Sequence, residues 1–177
     1  MGRALLLGTT LCFVTLLAGL AWAQEATPPE VAAFQQRQAE MASDPVGAVT
    51  VWFEAIFQYM ADPELGAPMI TLAMDDPDWN VPANSIFVDR LNNRPRIFLS
   101  YIRGTSPENG YQPGPEADWE LEVTEVREPD ANGEVTVYLR STGADTPRPM
   151  AVRKGDDGLF RASRYTSIYV DVRPPKG

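Results

Sequence analysis

WELEVTEVREPDANGEVTVYLRSTGADTPRPMAVRKGDDGLFRASRYTSIYVDVRP, residues 119–174, decides the fold. It reads as four antiparallel strands in a row, because apolar residues alternate with polar ones and the breaks carry turn chemistry. The turns are Pro129–Gly133, Thr142–Pro149 and Gly155–Gly158. Trp119, Leu121 and Val123 share one face. Val126 is out of phase with them, and a bulge near Thr124-Glu125 would turn it inward again. Asn132-Gly133 is a tight hairpin signal. Val135, Val137 and Leu139 then face one way, with Thr136, Tyr138 and Arg140 opposite. Met150 and Val152 continue the apolar face, followed by Phe160 and Ala162. After a break at Arg164–Ser167 the alternation resumes at Ile168, Val170 and Val172, which predicts a long, kinked last strand ending at Pro174-Pro175. A sheet apolar on one face only expects helices on one side.

Those helices come earlier in the chain. Asp44-Pro45 is a start signal, an N-cap acid followed by proline at the first helical position. Val46, Val49, Trp52, Phe53, Ile56, Phe57 and Met60 follow at helical spacing, and this stripe is expected to lie on the sheet. Asp62-Pro63 repeats the signal, so a second helix (64–75) follows a tight corner, weakened in its first half by Gly66 and Pro68. A third, short helix is predicted over Pro82–Asn92. Residues 94–101 fit a helix or a strand, with a lean toward helix or irregular chain. Residues 26–43 begin with Thr27 as a cap before two prolines, but Val31, Phe34, Gln38 and Met41 make a thin stripe. They predict a linker or a marginal helix (24–43), leaving 44–175 as one α+β domain: N-terminal helices on one face of a curved antiparallel sheet of about four strands.

The first residues carry an export signal. Arg3, the apolar run Ala4–Leu20 and the small-x-small Ala21-Trp22-Ala23 predict cleavage after Ala23. A retained anchor is the alternative, since a run of about 18–20 apolar residues can span a bilayer. Cys12 is the sole cysteine and lies inside that run, so residues 24–177 cannot form a disulfide. Export to a periplasm or to the medium follows, without stable membrane insertion after cleavage. The net charge of −9 and the lack of a basic run make nucleic acid a poor partner. The chain has no histidine. That excludes Ser-His-Asp and Cys-His catalysis and the ordinary zinc, copper, haem and iron–sulfur ligand sets. No cofactor is predicted.

Candidate binding residues sit on two long loops and the chain beside them. The loop 104–118 offers Glu108, Asn109 and Tyr111, and the aromatic suggests a packed loop. The loop 141–149 offers Asp145 and Arg148, which are expected to pair with each other. Arg103, Arg164 and Tyr165 lie near the loop ends, and arginine is a natural clamp for carboxylate or phosphate. Asp76, Asp78 and Asn80 have the alternate spacing of an EF-hand loop. Val81 stands where its glycine should be and Phe87 where its bidentate glutamate should be, so a solvated acidic turn is the better reading.

Gly104-Thr-Ser-Pro-Glu-Asn-Gly-Tyr111, Ser141-Thr-Gly-Ala-Asp-Thr-Pro-Arg-Pro149 and Val170-Asp-Val-Arg-Pro-Pro175 together resemble an uncharacterised bacterial family of unknown function, over about residues 44–175. The order of helices then curved sheet also resembles the cone-shaped fold of nuclear transport factor two and ketosteroid isomerase. Three functions stay open. The first is a non-catalytic binding or accessory domain for an unknown small molecule or envelope protein. The second, implied by the cone-fold resemblance, is a histidine-free acid–base enzyme drawing on Asp89, Tyr101, Asp145 or Tyr165. The third is a structural or docking module of the envelope.

Overall fold

Two Asp-Pro pairs set the helical half of the molecule in the computed structural model, which describes residues 27–176. The leader reading of 1–23 lies outside those residues. Asp44 accepts hydrogen bonds from the Val46 and Gly47 N–H groups at 2.9 and 3.0 Å and starts helix α2, Pro45–Ala61. Asp62 accepts from Glu64 and Leu65 at 3.0 and 3.3 Å and starts α3, Pro63–Leu72. Each cap satisfies amides that the first helical turn leaves unpaired. The corner between the two helices is closed by Gly66, where a Cβ would collide with the Tyr59 backbone. Pro68 does not shorten α3, whose packing on α2 offsets the poor propensity. Helices α4 (Ser85–Asn93) and α5 (Arg96–Leu99) follow, so the ambiguous 94–101 stretch holds a one-turn helix with Ile97, Phe98 and Tyr101 buried.

Strands β1 (Val123–Val126), β2 (Glu134–Leu139), β3 (Arg148–Lys154) and β4 (Phe160–Arg164) form an antiparallel sheet in sequence order. The fold class is α+β. Val135, Val137, Leu139, Met150, Val152 and Ala162 are buried on one face, and α2, whose Trp52, Ala55 and Ile56 are fully buried, packs against β2, β3 and β4. The outer face carries Arg127 over the Tyr138 ring at 4.6 Å, and Glu134 between Arg153 and Arg164, each at 2.9 Å. The outer edge of β4 is covered. Ala162 exchanges backbone bonds of 2.9 Å with Ala73 and Asp75, and the Phe160 N–H donates to the Ala42 carbonyl at 2.7 Å. Among the described residues β1 has a strand neighbour on one side only.

The expected bulge is present: the register shifts between Val123 and Glu125, and Val126 comes opposite inward Val137, although at the edge of the sheet it stays 47% exposed. Two other expectations are corrected. The last strand stops at Arg164 rather than continuing through a kink. Arg148 is the reason: its guanidinium donates to the carbonyls of Val170 and Asp171, the latter at 2.8 Å. Residues 165–169 form a turn closed by the Ile168 N–H on the Tyr165 carbonyl, 2.9 Å. Ile168 and Val172 are still buried, but Val170 points out at 54% exposure. The second correction concerns the N-terminal arm. α1, Pro29–Met41, is packed and not marginal. Val31, Phe34 and Gln38 are buried, and the Gln38 amide donates to the Leu72 carbonyl at 2.8 Å. Its cap position is Pro28, without the side-chain bond expected of Thr27. Among the described residues no helix is long and apolar enough to cross a membrane.

Candidate functional site

α1 and α2 stand beside each other and present matched faces to a groove of about 790 Å³. On α1 the face is Glu30, Ala33, Phe34 and Arg37; on α2 it is Val46, Thr50, Phe53, Glu54 and Phe57. Both sets follow the three- and four-residue spacing that puts side chains on one side of a helix. The third wall is the chain entering β1, with Glu116, Trp119, Glu120, Leu121 and Val123. Phe57 and Trp119 carry the accessible apolar surface, while Phe34, Phe53 and Ile102 lie beneath them, almost wholly buried. The Trp119 indole N–H donates to the Gly114 carbonyl at 2.9 Å, which fixes the ring. Its edge meets Phe57 with centroids 5.0 Å apart and planes at 76°. Chain 116–121 is held in turn by the Arg103 N–H on the Glu120 carbonyl, 2.9 Å, and by an Ile102–Leu121 bridge.

The groove is apolar below and charged at its lip. Arg37 of α1 reaches Glu54 of α2 with two bonds, 3.1 and 3.4 Å, and ties the helices together across one end. Arg103 pairs with Glu120 at 2.8 Å. Glu30 and Glu116 have no ion-pair partner among the described residues.

A second cleft, about 470 Å³, lies where the two long loops meet the C-terminal segment. Its charges hold the chain together. Arg173 pairs with Asp145 at 2.9 Å and Lys176 with Glu108 at 2.7 Å. The Lys176 ammonium, with the Glu108 amide and Ser106, holds the Glu108 carboxyl at about 2. The Tyr111 hydroxyl donates to the Arg173 carbonyl at 2.6 Å, and the Arg173 N–H donates to Gly143 at 3.0 Å. These bonds strap the C-terminal segment over both loops.

The sequence candidates are therefore dispersed, and most do structural work. Tyr111 is fully buried with φ 60°, which confirms a packed loop. The Asn109 side chain closes a capping box with Ser106 and donates to the Gly104 carbonyl at 3.0 Å. Asp145 and Arg148 do not pair: Asp145 takes Arg173, and Arg148 takes the carbonyls of Val170 and Asp171, beyond the end of β4. Arg164 pairs with Glu134 on the outer face of the sheet. Arg103 alone reaches the larger groove, through Glu120.

The four acid–base candidates are not brought together either. Asp89 accepts from Asn93 at 2.9 Å on the surface of α4. The Tyr101 hydroxyl donates to the Ile168 carbonyl at 3.0 Å, and burial pushes its phenol well above the ordinary value. Tyr165 accepts the Trp79 indole N–H at 2.6 Å; burial raises its phenol too, although the Trp79 bond opposes this. In the acidic turn, Asp76 accepts from the Asp78 amide at 2.9 Å and Asn80 from the Ala83 amide at 3.1 Å, so both close local turns. Among the described residues no three His, Cys, Asp or Glu side chains are grouped to hold a metal ion.

The larger groove has one signal in the sequence. α2 is apolar nearly all round, with Val46, Val49, Phe53 and Phe57 in addition to the core stripe of Trp52, Ala55 and Ile56. A helix apolar on two faces needs two partners, and the sheet covers one of them. No curated protein and no solved structure matches the chain. The model of a domain of unknown function, DUF6935, matches residues 26–176 and so takes in α1, both α2 faces, the sheet and the strapped C-terminal segment; the chain belongs to the DUF6935 family.

Proposed function

We propose that this is an exported binding domain whose ligand site is the groove between α1, α2 and residues 116–123. The observation that carries the reading is the groove itself. Its volume of about 790 Å³ lies in the range of about 300–1,000 Å³ in which small-molecule sites fall. Its floor is apolar and aromatic, its charged groups stand at the lip, and rigid helices form two of its walls. A non-catalytic role fits the dispersal of Asp89, Tyr101, Asp145 and Tyr165, each engaged elsewhere. Export rests on the leader pattern of residues 1–23. The bacterial origin and the likeness to the cone-shaped fold belong to the same reading; helices on one face of an antiparallel sheet support the latter.

The test is binding of the uncharged dye Nile red to the chain from residue 24 onward. The expected result is saturable, blue-shifted fluorescence that is lost in Thr50→Trp, which fills the groove from α2, while circular dichroism shows the fold retained. An unshifted dye, or a shift that survives Thr50→Trp, overturns the reading. A docking role is the second reading. It is favoured by the one-sided pairing of β1 and by the exposure of Val126 on that strand, an arrangement that admits an added strand.

A further inference from the structure

We infer that the groove takes a cationic amphiphile, a molecule with an apolar body and an ammonium or guanidinium head. The inference rests on the reading of the groove as a ligand site and names the chemistry of its occupant. The walls carry four carboxylates, Glu30, Glu54, Glu116 and Glu120, against one cation, Arg37. Arg37 is occupied by Glu54, and Glu120 is occupied by Arg103 from outside the groove. Glu30 and Glu116 are left without ion-pair partners among the described residues. They stand on different walls, α1 and the chain leading into β1. This unpaired negative charge favours a positive head in the groove, whereas an anionic head would give up hydration against like charge.

The apolar part of the site supports the same class. Trp119 and Phe57 meet edge to face, so Trp119 keeps part of its indole surface toward the groove. Aromatic faces attract cations through their quadrupole, and an indole does so best. An alkyl or ring body can lie on Phe57 and Leu121 over the buried Phe53 while its head stays at the lip. The groove is also walled on three sides and sized for a small molecule. The long-range part of the attraction is screened over about 8 Å at physiological ionic strength, so affinity for the cation should fall with added salt.

The test is calorimetric titration of the chain from residue 24 onward with three probes that share one tail: decyltrimethylammonium, decyl maltoside and decyl sulfate, each below its micelle concentration. The proposal expects the ammonium probe to bind at least about tenfold tighter than the other two. Glu30→Gln with Glu116→Gln should erase most of that preference and leave the maltoside affinity unchanged. Equal binding of all three probes would overturn the cationic class and leave the groove reading standing. No binding of any probe by a monomer would overturn both. No binding by a chain that light scattering shows to be a dimer would also overturn both, and would assign the groove to a second copy. Lost preference in the double variant together with lost maltoside binding would mean that the glutamates hold the groove's shape, and would overturn their role in recognising charge.

Discussion

Two aromatic residues of α2, five positions apart, should respond to truncation very differently. Trp52 is fully buried, with ring centroids 5.1, 5.7 and 6.1 Å from Phe53, Tyr165 and Phe87. Its indole N–H meets the Met74 sulfur at 3.3 Å. An aromatic side chain buries about 150–250 Å², which at about 25 cal/mol per Å² is roughly 4–6 kcal/mol. Part of that area is already buried in the unfolded ensemble, so about 3–5 kcal/mol is expected for Trp52→Ala, in line with large aromatic truncations elsewhere. Phe57 is only partly buried. Beyond its contacts with Phe53 and Trp119, at 5.8 and 5.0 Å, it faces the groove. Truncating it removes about half of a full side-chain burial and leaves no enclosed cavity, so about 1–2 kcal/mol is expected. Urea unfolding followed by far-UV circular dichroism reads both variants without relying on tryptophan fluorescence. The m-values should match the parent's, so that midpoints compare directly. Equal costs at the two positions would refute the division of α2 into a core face and a groove face. A Trp52→Ala variant that melts like the parent would remove the packing of helix on sheet as well.

Other outcomes follow from the same geometry. Tyr111→Phe leaves the Arg173 carbonyl without its 2.6 Å donor; about 1–2 kcal/mol of stability should be lost, with faster amide exchange at Arg173, and unchanged exchange there would contradict the strap. Gly66→Ala should lower the melting temperature, because its Cβ meets the Tyr59 backbone and α3 must move away from α2; about 1–3 kcal/mol is the usual cost of such overpacking, and a variant as stable as the parent would mean that this corner is loose. The Arg161 guanidinium, with the Leu159 amide, holds the Asp157 carboxyl at about 2 against an ordinary 3.8, and Glu108 is held near the same value. Because the folded-state values are the lower ones, these pairs stabilise the protein above about pH 4, and their contribution is lost as pH falls toward about 2. Thermal melts of Asp157→Asn across that window should show a shallower decline than the parent, and parallel curves would argue against the pair.

Much of the fold is legible because the signals are local. Asp44 and Asp62 bond to amides two and three residues away, so the sequence neighbourhood alone places both helix starts. The β2 hairpin is equally local: Asp130 accepts from Asn132 and Glu134 at 2.8 and 3.0 Å, and Gly133 takes φ 74°. What was misread depends on distant partners. The alternation of Ile168, Val170 and Val172 looks like a strand, yet Arg148, some twenty positions earlier, takes the carbonyls that a strand would pair. The stripe on α1 looks too thin to hold a helix. Gln38 nevertheless counts as a core position once Leu72 offers a carbonyl, and Phe34 once Phe53 and Ile102 lie beneath the same groove.

The site was harder to read than the fold for a reason of kind. Loop residues such as Glu108, Asn109 and Arg148 attract suspicion because polar side chains on long loops often bind ligands. Here their hydrogen-bonding capacity is spent on the molecule itself: Lys176 for Glu108, the capping box for Asn109, three carbonyl groups for Arg148. The groove is a gap between elements, and no single residue announces a gap. Its trace is a surplus: α2 carries more apolar surface than one sheet can cover. Trp119 shares in that surplus, because the chain carrying it enters the sheet only at Val123 and leaves the indole turned toward Phe57. The surplus also explains why α1 is packed and not marginal. By covering only part of the second face of α2, it leaves beside itself the apolar strip that a ligand would have to complete.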